Sequence, residues 1–207
     1  MAQLSAESEQ ATAAPAAGVT GTPLGVFALA ITLFVLSLNN AGFVKDTSNA
    51  IVIGLALFLG GVVLLVAGTW EFRAGNTFTG TVFTSYSALW LSFGFILLPG
   101  TGIMAALAGE KMIYPALGSY LLAWTIYTAL LTICVLRTNV ALLSTFVVLL
   151  LTFLTLAISF LAGGSTFFQT AGGYLGIIAS FLAWYLGLAG LLPYINPRIS
   201  LPVGPLS

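Results

Sequence analysis

Histidine is absent from this sequence, cysteine occurs once, and charged residues are scarce. Without histidine there is no imidazole to bind a metal or haem, to act as a general base, or to relay protons. The single cysteine, Cys134, cannot form a disulfide within the chain. Metal catalysis would need several carboxylates or thiolates to converge, and only five carboxylate side chains exist. These shortages argue against a metalloenzyme, and we expect neither a metal nor a cofactor.

Charged side chains make up 5% of the 207 residues, whereas hydrophobic ones make up 59%. Soluble domains carry about 25% charged residues, so this chain has too few to cover the surface of a soluble protein of its length. The five Lys and Arg residues balance the five Asp and Glu residues, which leaves no basic surface for nucleic acid. The composition predicts an integral protein of the lipid bilayer.

A polar N-terminal region is followed by six apolar stretches. Each stretch is close in length to the roughly 20 residues that a bilayer crossing needs. They predict transmembrane helices at residues 24–43, 50–70, 78–98, 114–136, 140–162 and 172–192. Because strict alternation is absent, the predicted fold class is all-α, a polytopic six-helix bundle. We expect a disordered tail over residues 1–22, the transmembrane domain over 23–193, and a short C-terminal tail over 194–207.

Charges in the connecting loops predict the orientation in the membrane. With six spans, the termini share one side with the loops that contain Arg73 and Arg137, and Arg198 follows the last span. The other side carries Lys45 and Lys111. Since the side with more Lys and Arg faces the cytosol, we expect both tails to be cytosolic.

No charged residue falls inside a predicted span; all of them lie in the N-terminal tail or at helix ends. Proton relays and voltage sensors use ionisable residues within the membrane, and a cation-coupled pump normally buries a carboxylate. We therefore expect no buried carboxylate. What remains is a pathway lined by hydroxyls, amides, aromatic rings and backbone, or a protein without a pathway.

Uncharged polar residues recur at helical spacing in three spans, which places them on single helix faces. They are Thr125, Thr128 and Thr132 in the fourth span, Thr145, Thr152, Thr155 and Ser159 in the fifth, and Thr77, Thr81, Thr84, Ser85 and Tyr86 in the third. In the fourth and fifth spans, the favoured interpretation is that these hydroxyls bond the carbonyl four residues earlier and join helices. The denser cluster of the third span favours pathway lining.

Small residues form one-sided stripes in the second and sixth spans, and such stripes allow helices to approach closely. The members are Gly60 and Gly61 in the second span and Gly176, Ser180 and Gly187 in the sixth. These faces exceed the requirement of one six-helix bundle, so we expect a hexamer or another ring of protomers.

Charged and capping residues flank the turn between the second and third spans. Glu71 and Arg73 end one helix, and Gly75, Asn76 and Thr77 lead into the next. A helix start offers free N–H groups and a positive dipole end, which suit an anion. A plain helix cap with a salt bridge explains the same residues equally well.

Several segments resemble the acetate uptake transporter family, also called the succinate–acetate permease family. The resemblance is carried by PLG at residues 23–25, the pair at 60–61, WEFRAGNTF at 70–78, TSYSALW at 84–90 and AGGYLGIIASFLAWY at 171–185. It covers about residues 20–205 and implies six-helix protomers in a hexamer, each with its own narrow pathway. Such a protein would carry acetate and related short monocarboxylates, and in some members succinate, across the plasma membrane. Both a proton-coupled and a channel-like mechanism are compatible with the family.

The resemblance also implies a hydrophobic gate formed by Leu29, Tyr86 and Leu149. The family has Phe at the position of Leu29, so a looser gate is expected here. The entry motif is retained at Pro23, Leu24 and Gly25, whereas residues 20–22 depart from the family's Asn-Pro-Ala. Leu64 stands where family members often have Gln, which removes a polar group from the second span.

A carboxylate is costly to desolvate, so it needs donors near the constriction. Asn76, Thr77, Thr84, Ser85 and the hydroxyl of Tyr86 are the predicted donors. Movement together with a proton would lower the same cost.

Three other classes of protein compete with a carboxylate transporter. A structural membrane organiser would share the small-residue stripes, but six spans and the polar third span count against it. A channel for ammonia, urea or water usually has paired His or repeated Asn-Pro-Ala boxes, which are absent. A membrane enzyme would need a nucleophile–base pair or a metal set. We therefore predict a carboxylate transporter and no enzyme, with the channel and the structural protein as alternatives.

Overall fold

The computed structural model describes residues 19–44 and 49–206. Within these residues, six apolar helices are long enough to cross a bilayer. They are α1 (Thr22–Asn40), α2 (the consecutive segments Asn49–Gly54, Leu55–Val63 and Leu64–Arg73), α3 (Thr77–Leu97), α4 (Ile113–Cys134), α5 (Val140–Leu161) and α6 (Thr166–Ile195). The predicted all-α, six-helix membrane fold is confirmed. Most of the predicted tail over residues 1–22 lies outside the described residues, as does Lys45 of the first loop.

Large apolar side chains cover the outer surface of the bundle. Phe58, Ile133 and Phe167, for example, are 70%, 62% and 74% exposed. A soluble protein rarely shows contiguous apolar surface on this scale, whereas lipid is its natural contact. The multi-pass membrane character predicted from composition is therefore visible in the packing itself.

The six helices form a closed ring in chain order. Consecutive helices α1–α2, α2–α3, α4–α5 and α5–α6 pack closely, and α6 returns to pack against α1. Between α3 and α4 the contact is made by long side chains. Helices α1, α3 and α5 begin at the end of the bundle that carries both described chain ends. We call this end the terminal side and the other end the distal side.

The middle of α2 is π-helical over Leu55–Val63, which hydropathy does not predict. Gly60 and Gly61 lie in this segment and press against α3: an added Cβ would come within 2.7 Å of the Trp90 ring and 2.4 Å of Leu91. Ser87 of α3 donates a hydrogen bond to the Gly61 carbonyl at 2.9 Å. Gly60 and Gly61 thus let the wider helical turn pack closely against α3, and Ser87 of α3 holds it there by a hydrogen bond.

Helix α6 is longer than predicted at both ends. It begins at Thr166, directly after Gly163 and Gly164, whose positive φ angles of 78° and 89° stop α5. It continues past Pro193 to Ile195, although proline removes one backbone donor. A short helix that was not predicted, Ile103–Gly109, also joins α3 to α4.

The stripe of small residues on α6 lies against α1 of the same chain. A Cβ on Gly176 would lie 2.1 Å from Ser37 Oγ, and one on Gly187 would lie 3.1 Å from the Phe27 ring. Ser180 is also fully buried and donates to the Gly176 carbonyl at 2.8 Å. Together with Gly60 and Gly61, these residues pack helices within one protomer. These glycine faces therefore give no support to a ring of protomers, because one chain uses them itself. The ring of protomers stays a prediction.

Most hydroxyls of the polar stripes bond their own helix, as the favoured interpretation held. Thr125, Thr132, Thr145 and Thr152 each donate to the carbonyl four residues earlier at 2.7–2.8 Å. Ser159 instead donates to the Ser165 carbonyl at 2.7 Å, across the turn between α5 and α6. These hydroxyls therefore all donate to backbone carbonyls inside the bundle.

Candidate functional site

Two cavities lie one above the other along the middle of the helix ring. The larger, of about 240 Å³, opens near the terminal side between α1, α3, α5 and α6. The smaller, of about 70 Å³, lies towards the distal side between α1, α3, α4 and α5. We call them the terminal cavity and the distal cavity. Helices α1, α3 and α5 line both, so these three helices form the inner wall.

A narrow apolar space of about 10 Å³ separates the two cavities. We call it the neck; its lining residues are Leu29, Leu33, Tyr86, Leu89, Trp90, Leu149 and Phe153. The terminal cavity shares Leu29, Tyr86 and Leu149 with the neck, and the distal cavity shares the other four. A space of this size holds about one water molecule. The neck is therefore shut to any carboxylic acid in this conformation.

The structure brings together the three residues of the expected gate. Leu29 is 8% exposed, Tyr86 2% and Leu149 4%, and they come from the three inner helices α1, α3 and α5. Leu is shorter than the Phe that the sequence resemblance implies at this position, yet neighbouring Leu and aromatic side chains fill the neck. The wider gate that was expected from Leu29 is therefore not present as open space in the neck.

The sequence analysis predicts that the Tyr86 hydroxyl donates to a passing substrate, but the hydroxyl has a different partner in the structure. It forms a hydrogen bond of 2.9 Å with Thr128 Oγ1 on α4. The ring stacks on Phe153 at a centroid distance of 6.3 Å and lies 6.2 Å from the Trp124 ring. The aromatic face therefore closes the neck, while the polar end is bound to α4.

Apart from Tyr86, four polar side chains line the terminal cavity: Thr22, Thr79, Asn139 and Thr145. Asn139 caps α5, since its Oδ1 accepts from the Leu142 N–H at 2.8 Å. Within the described residues, neither the Asn139 amide nitrogen nor the Thr79 hydroxyl has a hydrogen-bond partner. The cavity thus offers neutral donors beside an apolar floor, and its lining carries no charge.

Glu71, at the end of α2, is a buried carboxylate, with 1% of its surface exposed. Its Oε1 accepts from the Thr22 hydroxyl at 2.9 Å and from the Thr20 hydroxyl, and its Oε2 accepts from Asn76 Nδ2 at 2.7 Å. The expectation that no carboxylate is buried is therefore wrong. A residue at the end of a transmembrane helix is expected to be exposed to water. Glu71 is buried because the starts of α1 and α3 cover it.

Arg73 is exposed, and no ion pair joins it to Glu71 in the described part of the chain. Of the two open interpretations of this turn, the cap is present, because Asn76 Oδ1 accepts from the Thr79 N–H at 3.3 Å, but the salt bridge is not. Arg73, Arg137 and Arg198 are all exposed on the terminal side. Among the described residues, these three arginines are the exposed charged side chains of the terminal side.

The distal cavity is mostly apolar and aromatic. Its polar contributors are Ser37, Asn40, Tyr120 and Thr152. The Tyr120 hydroxyl donates to the Leu89 carbonyl at 2.8 Å and lies 2.7 Å from Ser92 Oγ. As with Tyr86, the hydroxyl is bonded at the α3–α4 contact.

The other predicted pathway residues do not line either cavity or the neck. Pro23 and Gly25 are buried in helix packing, where a Cβ on Gly25 would lie 2.3 Å from the Phe83 ring, and Leu24 is 50% exposed. Thr77 is exposed, and Thr84 bonds the Gly80 carbonyl at 2.7 Å. Ser85 accepts from the Tyr127 hydroxyl at 2.9 Å. Asn76 acts through Glu71 and the start of α3, as described above.

Sequence reasoning missed the residues that place donors in the terminal cavity. Asn139 precedes the fifth span and could have been recognised as a helix cap, because Asn is favoured there. Thr79 lies one turn into α3 without any distinguishing signal. Leu64, where the family often has Gln, is fully buried away from the cavities. Among the described residues, no cluster of His, Cys, Asp and Glu could hold a metal ion.

The C-terminal residues fold back onto the start of α5, beside Asn139. The Val140 N–H donates to the Gly204 carbonyl at 2.7 Å and the Ala141 N–H donates to the Val203 carbonyl at 3.1 Å. The Tyr185 hydroxyl of α6 donates to the Pro202 carbonyl at 2.6 Å. Residues 202–204 therefore cap α5 and tie it to α6 at the rim of the terminal cavity.

Comparison with known proteins gives relatives in fungi and bacteria. The chain is 42% identical to Ammonia transport outward protein 2 of Saccharomyces cerevisiae over 86% of its length and 63% of that protein. It is 39% identical to Acetate permease A of Emericella nidulans over 87% of its length and 64% of that protein. The chain thus spans less than two thirds of these fungal relatives.

The bacterial relative is covered almost completely. The chain is 32% identical to the Succinate-acetate/proton symporter SatP of Escherichia coli K12, over 88% of its own length and 93% of that protein. The structure of the bacterial acetate channel SatP matches the present fold with a TM-score of 0.78 at 29% identity, over 90% of this chain and 99% of that chain.

A model of the GPR1/FUN34/yaaH family matches residues 4–207, nearly the whole chain. The relatives are named as transporters, a permease and a channel, which confirms the expectation that this protein is not an enzyme. The resemblance noted in the sequence is confirmed as well: this chain is a member of the GPR1/FUN34/yaaH family.

Proposed function

We propose that this chain carries acetate and related short-chain monocarboxylates across the membrane, through the terminal cavity, the neck and the distal cavity of each protomer. The observation that carries the proposal is the arrangement of two cavities on one axis, closed by an apolar neck between α1, α3 and α5. The names of the bacterial and Emericella relatives support acetate as the substrate.

The lining fits a molecule with one polar and one apolar end. A carboxyl group bonds the Asn139 amide and the Thr79 hydroxyl, while the methyl group lies on Leu29 and Leu149. Acetate fits readily within about 240 Å³. Succinate, with a second carboxyl group, would place charge against the apolar floor, so we rank it below the monocarboxylates.

A proton accompanies the acid through the neck. Moving an ionised carboxylate into an apolar space costs far more than moving a neutral acid. No charged side chain lines either cavity or the neck to offset this cost in the described residues. The acid therefore passes the neck in its protonated form, and a pH gradient drives net movement.

Positive charge on the terminal side supports an inward-facing terminal cavity. Arg73, Arg137 and Arg198 lie there, whereas Lys111 lies on the distal side. Since cytoplasmic loops are richer in Lys and Arg, the terminal side faces the cytosol. We propose the plasma membrane as the location and a homo-hexamer as the assembly. The hexamer depends on the family resemblance alone.

A channel for a neutral solute is the second candidate. The uncharged lining favours it, and so does the name of the yeast relative that exports ammonia. Flux into liposomes separates the two candidates. We expect uptake of labelled acetate above that of protein-free liposomes, faster with an inward proton gradient, and lower rates for lactate and succinate. Ammonia flux without acetate flux would establish the second candidate instead.

A further inference from the structure

Thr128 differs from the other buried threonines of α4 and α5. The hydroxyls of the other four donate to a backbone carbonyl of their own helix, as described above; these residues are Thr125, Thr132, Thr145 and Thr152. Thr128 is 0% exposed, and its hydroxyl bonds Tyr86 of α3 at 2.9 Å. Threonine in a helix usually bonds the carbonyl four residues earlier, so this hydroxyl is directed elsewhere by its partner.

The α3–α4 contact is the one place in the ring where side chains replace close packing of neighbouring helices. Three tyrosine hydroxyls make bonds across it: Tyr86 with Thr128, Tyr127 with Ser85, and Tyr120 with Ser92. Of these tyrosines, only Tyr86 has its ring in the neck. The position of this ring is therefore set from α4, although α4 itself does not line the neck.

Rotation about the Cβ–Cγ bond turns the ring on its own axis and leaves the hydroxyl in place. Rotation about the Cα–Cβ bond swings the whole ring and takes the hydroxyl away from Thr128. An axial turn leaves the ring in the neck, whereas the swing takes it out of the neck. Removal of the Tyr86 ring from the neck thus requires the 2.9 Å bond to break.

We propose that Thr128 is a positioning residue that holds Tyr86 across the neck, and that the Tyr86–Thr128 hydrogen bond sets how far the neck opens and how large an acid passes. The inference rests on the proposed pathway, since the neck must be the selective part of it. Thr128 touches no substrate; it acts through the tyrosine ring.

The first test measures the ratio of lactate to acetate uptake into liposomes. Thr128→Val keeps the shape of the side chain and removes the hydroxyl, and Tyr86→Phe removes the other partner. We expect each to raise the ratio by about threefold to tenfold, as the loss of one buried hydrogen bond allows. The double variant should equal either single one, Thr128→Ser should restore the original ratio, and Thr125→Val should leave it unchanged. An unchanged ratio in Thr128→Val, with acetate uptake retained, would overturn the proposal.

The second test does not depend on the substrate. In a Cys134→Ala background, Leu33→Cys places a thiol in the wall of the neck, and its reaction rate with a small thiol reagent reports opening. Thr128→Val should raise this rate and Thr128→Ser should not. If the chain moves no acetate but the rates behave this way, the proposed function fails and the positioning role stands. If acetate moves and the rate does not respond to Thr128→Val, the positioning role fails.

Discussion

The carboxylate of Glu71 accepts a hydrogen bond from the side-chain amide of Asn76, with Oε2 and Nδ2 2.7 Å apart. Its other oxygen accepts from Thr22 at the start of α1. One buried acid thus joins the end of α2 to the beginnings of α1 and α3, two of the three inner helices that line the terminal cavity.

Removal of this carboxylate should weaken the terminal side of the bundle. Glu71→Ala leaves the hydroxyl of Thr22 and the amide of Asn76 without their acceptor, and each such loss costs about 1–3 kcal/mol. We expect a clear drop in the melting temperature of the purified protein and a large loss of acetate uptake. Arg73→Gln, two residues away and exposed, should change stability by less than about 0.5 kcal/mol. Equal effects of the two substitutions would contradict a structural role for the buried acid.

The size of the neck should decide which acids pass. Leu149→Ala removes part of the wall of the neck, so the ratio of lactate uptake to acetate uptake should rise. Leu29→Phe narrows the neck and should lower that ratio. Leu131→Ala is the matched control, because Leu131 is buried at 7% exposure but lines neither cavity. All Leu→Ala changes in a core cost about 2–5 kcal/mol, so the flux ratio rather than the rate is the measurement. A ratio that moves equally in Leu131→Ala would refute control by the neck.

The Asn139 amide should contribute to binding of the carboxyl group. Asn139→Ser keeps a side-chain oxygen for the Leu142 N–H and removes the amide donor. We expect the acetate concentration at half-maximal uptake to rise about threefold to tenfold, which corresponds to one hydrogen bond. Thr138→Val changes the adjacent residue outside the cavity and should leave it unaltered. The same half-maximal concentration in Asn139→Ser would show that this amide does not meet the substrate.

Gly176 should contribute to the stability of the single protomer. Gly176→Ala would place a Cβ 2.1 Å from Ser37 Oγ and 3.1 Å from Ser37 Cβ, so the Ser37 hydroxyl must turn away and the close contact of α1 with α6 must loosen. We expect a lower melting temperature, partly recovered when Ser37→Ala is added. Gly54→Ala is the control, since nothing lies within 4 Å of its added Cβ, and it should stabilise the helix slightly. Gly176→Ala that melts normally but loses its oligomers would restore an interface role for this glycine.

Hydropathy was enough to predict the six helices, because a bilayer crossing requires about 20 apolar residues whatever the tertiary packing. The ends of the helices were less well predicted. Hydropathy does not register Gly163 and Gly164, whose positive φ angles stop α5, and it overrates Pro193, which α6 accommodates near its end.

The site depended on contacts between distant segments, and these were harder to predict. Leu29, Tyr86 and Leu149 came from the family resemblance, and the structure places them side by side. The burial of Glu71 requires the starts of α1 and α3 to close over it, which no local pattern shows. The partner of Tyr86, Thr128, looked like any other threonine on a helical stripe.

The return of residues 202–204 to the start of α5 has a consequence for biosynthesis. The first two N–H groups of α5 obtain their acceptors from carbonyls near the far end of the chain. During synthesis, the start of α5 leaves the ribosome before those carbonyls do. The start of α5, and with it the rim around Asn139, therefore reaches its final form only after residues 203 and 204 have also left the ribosome.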